Sequence, residues 1–139
     1  MKGLLVLAWT CFALGCAEKV NRTDLDHLNG YWEIERVAFP DGSHREYGIN
    51  TSVDFMFWDG EKGYRKKVQP NLNGTYSTSD DAAFFKIAEN RGVFMIRYNN
   101  GMSEWEEQIE FISNSELIVV NEENIRYHYK RFQPGNFQK

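Results

Sequence analysis

Leu28-Asn29-Gly30-Tyr31-Trp32-Glu33-Ile34 decides how this chain is read. Asn29 and Gly30 are turn-formers, and the residues after them are aromatic or β-branched, with Trp32 and Ile34 two apart and so on one face of an extended strand. In a small antiparallel barrel, a tryptophan at the start of the first strand plugs one end and leaves the other free to hold something.

Working outward, Thr23-Asp24-Leu25-Asp26-His27-Leu28 joins a cap-type threonine to leucines three apart. It predicts a short helical turn leading into the strand. Beyond the opening stretch, the first strand, 31–39, runs into Pro40-Asp41-Gly42, a strong turn. A partial extension at 44–47 and a clear strand at 52–58 follow, and Asp59-Gly60-Glu61-Lys62 joins the latter to 63–68 as a hairpin. Further strands are expected over 74–78, 82–88 (after a turn at Ser79-Asp80-Asp81), 93–98, 103–112, 117–120 and 125–132. About nine short strands with hairpin-length links and no long amphipathic helix predict an all-β fold, a small antiparallel up-and-down barrel of 8–9 strands. Closure also removes the unpaired edges of an open meander.

The bounds agree with this. A chain of 139 residues suits one domain, and 42% hydrophobic with 26% charged residues is ordinary for a folded protein. A net charge of −4 argues against a nucleic-acid partner, because phosphate binding needs clustered cations. The barrel is expected over 28–133, with 134–139 a loose tail.

The N-terminus reads as an export leader. Met1-Lys2 is followed by an apolar run at 4–14, too short to span a bilayer as a mature helix. Ala13-Leu14-Gly15-Cys16 resembles a bacterial lipobox, departing from the commonest form at Ala13. That resemblance implies a lipoprotein signal peptide over 1–15, a Cys16 thiol carrying diacylglycerol with palmitate-type acyl chains, and a tether with the helical turn over 16–27. The expected location is the cell envelope, anchored in a membrane, with the outer membrane favoured. The alternative is a secretory leader cut after Ala17, which would leave a soluble secreted or periplasmic protein. Cys11 lies inside the leader, so a mature chain would have no partner for Cys16 in an internal disulfide.

Gly30-Tyr31-Trp32 also resembles the G-x-W signature that opens the first barrel strand of lipocalins, with the short helical turn where that family has one. Taken with the lipobox and the strand series, the chain resembles the lipocalin-like domain lipoproteins of Gram-negative bacteria. The resemblance implies a basic residue near the barrel's end packed across the signature tryptophan. In Tyr127-His128-Tyr129-Lys130-Arg131-Phe132 that residue is Arg131 or Lys130, giving Gly30, Trp32 and Arg131 as the structural signature. The Arg-x-Tyr pair of the related fatty-acid-binding proteins does not carry over, since Arg126 is followed two residues later by His128.

Little points to an enzyme. His27, His44 and His128 lack partners at metal-ligand spacing, and neither a metal nor a cofactor is expected. Asp80-Asp81 reads as a turn, and Glu104, Glu106 and Glu110 as a solvated outer face. Arg65-Lys66-Lys67 and Lys130-Arg131 read as strand faces that balance those acids, or that meet an anionic ligand or membrane head groups. Alternation places Trp32, Ile34, Phe55, Phe57, Phe85, Met95, Trp105, Ile109, Tyr127 and Tyr129 inward. Of these, Phe55, Phe57, Phe85, Met95, Trp105, Tyr127 and Tyr129 are candidates for a ligand pocket. The expectation is a membrane-anchored barrel binding a small apolar or amphipathic molecule. The alternative is a filled barrel serving as a protein-interaction module, for instance an envelope protease inhibitor or assembly factor.

Overall fold

A short 3-10 helix, Arg22–Leu28, leads into nine strands: β1 Gly30–Ala38, β2 His44–Glu46, β3 Val53–Trp58, β4 Lys62–Pro70, β5 Tyr76–Asn90, β6 Val93–Asn99, β7 Glu104–Ile112, β8 Glu116–Asn121 and β9 Arg126–Arg131. The computed structural model describes residues 19–133, so the expected leader, Cys16 and the 134–139 tail lie outside the described residues.

Every pairing is antiparallel. From β3 to β9 each strand bonds to the next, and β1 pairs with both β3 and β9, so eight strands close into an up-and-down barrel. The ninth, β2, hangs on the far end of β1 through Arg36–Ala38. Between its partners β3 and β2, the edge of β1 is bridged by a side chain: Asn50 Nδ2 donates to the Ile34 carbonyl at 2.9 Å.

The helix closes one end. Leu25 and Leu28 are buried, matching their three-residue spacing. The helix begins after Asn21 rather than at Thr23, and the Asn21 backbone N–H donates to Asp24 Oδ2 at 2.9 Å. Asn29 straps the helix to β3: its Nδ2 donates to the Trp58 carbonyl at 3.1 Å, and its Oδ1 accepts the Trp58 N–H at 2.8 Å. Below this cap the interior is filled by Trp32, Met56, Trp58, Phe85, Phe94, Ile96, Ile109, Leu117 and Val119. Gly63 is part of that fit, because a Cβ there would collide with the Phe85 ring and the Phe57 carbonyl.

One expected turn is absent. The stretch 79–81 lies inside a continuous 15-residue β5. Pairing with β4 holds on both sides of it, at Val68↔Thr78 and Lys66↔Ala82, and the irregularity takes the form of a register shift between Lys66 and Val68. Ladder pairing thus overrides the turn propensity of Ser79, Asp80 and Asp81, and the shift bends the hairpin instead. The bent end folds over the outside of the barrel, where Tyr76 stacks on Tyr31 of β1 at 4.4 Å and 9°. A second, smaller core of Val53, Val68 and Phe132, with Tyr31 and Phe55 against it, lies beneath.

Candidate functional site

The barrel interior has two unlike halves. Toward the helix, the space bounded by Trp32, Met56, Leu117 and Val119 has no room for a water molecule. Toward the other end, a basin of about 1050 Å³ opens to solvent, walled by Ala83, Trp105, Asn121 and Tyr127 and floored by Asp54, Arg65, Glu107 and Tyr129.

Arg65 organises the floor. Its register partners on β3 and β5 are Met56 and Ala83, both facing inward, so the pleat aims the guanidinium into the barrel. Nη2 donates to Asp54 Oδ2 at 2.9 Å and to the Tyr129 hydroxyl at 2.7 Å. Nη1 donates to Glu107 Oε1 and to the Tyr98 hydroxyl, both at 3.3 Å. Lys67 reaches the other Asp54 oxygen, Oδ1, at 3.4 Å. Buried charges persist only when paired and hydrogen-bonded, and this cluster is both.

The titrations follow from burial and charge. Burial works against the ionised form of Asp54, but Arg65 and Lys67 more than offset it and hold the carboxyl below its usual range. Glu107 goes the other way: burial raises it, and Arg65 with a Tyr98 hydrogen bond reverses this only in part. Burial alone would loosen the Arg65 proton, yet Tyr129, Tyr98, Asp54 and Glu107 around it keep it firmly charged. Burial pushes the Tyr129 hydroxyl up to about 12 and the Tyr98 hydroxyl higher still, so both stay neutral phenols.

The candidate pocket residues divide among three places. Trp105 and Tyr127 wall the basin, and Trp105 stacks on Tyr98 at 5.2 Å. Tyr129 belongs to the floor. Phe85 lies in the filled half, 5.9 Å from the Trp58 ring and 5.6 Å from Tyr98. Phe55, Phe57 and Met95 do not face inward. Phe55 packs on Tyr31 in the outer core, Phe57 is 41% exposed beside Tyr64, and Met95 is half-buried outside. Their inner neighbours are instead Asp54, Met56 and Trp58 on β3, and Phe94, Ile96 and Tyr98 on β6. Both strands carry apolar residues at each parity, and the interior takes the set that meets Arg65 and fills the lower half.

Asp54, Tyr98 and Glu107 are not among the residues expected at a site, and Arg65, expected with Lys66 and Lys67 on a strand face, instead points into the barrel on these three and Tyr129. Glu107 had a signal, since it shares the parity of Trp105 and Ile109. Arg97 likewise shares the parity of Met95, and an exposed arginine there marks that face as outer. Arg65 was hidden by Lys66 and Lys67 beside it.

At the closed end, the cation over Trp32 is Arg131, whereas Lys130 lies opposite Glu33 and Glu116 in the ladders. Arg126 pairs with Glu110 at 2.9 Å, outside the barrel. Among the described residues, no cluster of side chains suits a metal ion.

No protein-family model matches the sequence, and no curated protein matches it. Two solved structures are similar: a lipocalin-like protein from Bacteroides uniformis, at 12% identity and a TM-score of 0.48, and an uncharacterized protein from Bacteroides eggerthii, at 11% and 0.47. Each comparison covers 76% of this chain and 99% of the other. At that score the likeness adds nothing to the barrel already defined by strand pairing.

Proposed function

We propose that the protein holds one small amphipathic molecule in the basin at the open end of the barrel. The apolar part lies against Trp105, Ala83 and Tyr127, and the hydrogen-bonding part faces Arg65 and its partners. The observation that carries this reading is the contrast between a lower half without room for water and an open basin with an aromatic wall and a polar floor. An eight-stranded barrel is wide enough for one such ligand. The floor sets Arg65 and Lys67 against Asp54 and Glu107, so its charges largely cancel. This favours a neutral or zwitterionic polar group over a strongly ionised one. No covalent step is involved.

Anchoring through an acylated Cys16 belongs to the same proposal, supported by the lipobox-like Ala13-Leu14-Gly15-Cys16. The described chain enters at the helix-capped end, which would leave the basin open away from the anchor.

The test is solvent extraction of the purified protein with mass spectrometry, alongside titration with a fluorescent apolar probe. A released small molecule or saturable one-site binding supports the reading; an empty extract with no saturable binding sinks it. For the anchor, Cys16→Ser should lose palmitate label and leave the membrane fraction. Retention of both by that variant refutes acylation at Cys16.

The packed lower half favours a second reading, a protein-interaction module in which the barrel is only a scaffold. A stoichiometric protein partner pulled from envelope extracts, together with an empty basin, would select it.

A further inference from the structure

We propose that the outer face of β3, β4 and β5 docks on an anionic lipid bilayer. Strand register sets two rows side by side there. In the first, Phe57 lies opposite Tyr64, and Tyr64 opposite Phe84. The Phe57 and Tyr64 rings are 5.5 Å apart, and Phe84 is 63% exposed. In the second, two residues nearer the closed end, Lys62 lies directly opposite Lys86, and Lys86 opposite Arg97. On the other side of the aromatic row stands Lys66, opposite Phe55 and Ala82.

Like charges directly opposite one another weaken a sheet. Here three cations stand in line, and Glu106 neutralises only Arg97, at 3.2 Å. Among the described residues no carboxylate comes within ion-pair distance of Lys62 or Lys86. The acids nearest in sequence are Glu61, next to Lys62, and Asp59, whose Oδ1 accepts the backbone N–H groups of Glu61 and Lys62 at 2.9 and 2.8 Å while its charge acts on Lys62 without a direct ion pair. Glu104 and Glu106 on β7 mark where the patch ends.

An external anion would give Lys62 and Lys86 the direct ion-pair partner that they lack among the described residues, and the exposed rings alongside say what kind. A row of rings flanked by lysines matches the boundary of a bilayer, with rings at the acyl edge and ammonium groups snorkelling to phosphates. A free anion would leave Phe57 and Phe84 in water. The inference goes beyond the basin reading and does not depend on its ligand. It is also separable from the Cys16 anchor, because an acyl chain inserts into neutral and anionic bilayers alike.

The full chain is mixed with vesicles of phosphatidylcholine, or of phosphatidylcholine with phosphatidylglycerol, and briefly acetylated on its lysines. Modification is then read residue by residue by mass spectrometry. On the anionic vesicles, acetylation of Lys62 and Lys86 should fall about fivefold or more, the effect of one cation at an anionic surface, while Lys130 on β9 stays unchanged. Equal acetylation of Lys62 and Lys86 on both vesicles overturns the proposal. So does protection that grows with protein concentration without vesicles, which would mark a second copy of the chain as the occupant. The Lys62→Glu/Lys86→Glu variant should melt like the parent and lose at least about 25-fold in the anionic-over-neutral binding ratio; an unchanged ratio also overturns it. Flotation on neutral vesicles reads the acyl anchor separately. Loss there with protection kept on anionic vesicles removes the anchor and leaves the docking face.

Discussion

The guanidinium carbon of Arg131 lies 3.9 Å from the centroid of the Trp32 ring. The same guanidinium donates to the carbonyls of His27 at 2.6 Å, and of Asn29 and Asn114 at 2.8 Å, joining the helix, the residue that links it to the first strand, and the β7–β8 turn. Trp32 in turn donates its indole N–H to the Leu28 carbonyl at 2.9 Å. Gly30 completes the unit: its φ is +125°, and a Cβ there would sit 2.6 Å from Arg131 Nη1.

Trp32→Ala should therefore cost about 3–5 kcal/mol, as expected for removing a fully buried aromatic. Arg131→Ala should cost about 2–4 kcal/mol through lost charged hydrogen bonds and ring contact. Arg131→Lys should recover little, since an ammonium cannot reach three carbonyls in a fork. Urea unfolding measures all three. An Arg131→Ala midpoint equal to the parent's would show that this stitch contributes nothing.

The Arg65 cluster makes stability depend on pH in two opposite ways. Glu107 has a folded pKa above its unfolded value, so its contribution is complete below the ordinary glutamate range and is lost as pH rises through the raised value. Asp54 has a folded pKa below its unfolded value, so its contribution is present above the ordinary aspartate range and is lost as pH falls through the lowered value. Relative to the parent, Glu107→Gln should gain stability as pH rises toward neutrality. Asp54→Asn should be weakest near neutrality and close its deficit in acid. Urea midpoints measured across pH check both, and curves parallel to the parent's would rule the linkage out.

Tyr76 carries the single buried side-chain polar atom among the described residues without a hydrogen-bond partner, its hydroxyl. An unsatisfied buried hydroxyl costs stability, so Tyr76→Phe should be neutral or raise stability by about 1 kcal/mol, keeping the stack on Tyr31. Tyr76→Ala should instead lower it by loosening the outer core. Thermal melts of the two variants decide, and a clear loss in Tyr76→Phe would point to a partner for the hydroxyl.

Trp105 is half-buried at the basin wall, stacked on Tyr98. Trp105→Ala should weaken apolar-probe binding about tenfold, the size of one aromatic contact, with a smaller effect on melting than Trp32→Ala. Phe57→Ala, outside the barrel, should leave probe binding unchanged. If the two variants behave alike, the basin is not where the probe sits.

What the sequence determined by itself was local: turns at Asp41-Gly42 and Asp59-Gly60, a leucine-spaced helical turn, and a strand series short enough in its links to close as a barrel. These features depend on residues within a few positions of one another, where turn chemistry and hydrophobic period act directly. Tertiary structure decided which parity of β3 and β6 faces inward, because apolar residues occupy both and a one-residue slip exchanges the faces. It also decided that β5 runs through 79–81, since pairing with β4 outweighs three turn-formers. The Arg65 cluster was least legible, because its partners Asp54 and Glu107 stand 11 and 42 residues away in the chain. Only the closed barrel brings those charges together, so that pairing outweighs burial at Asp54 and answers it in part at Glu107.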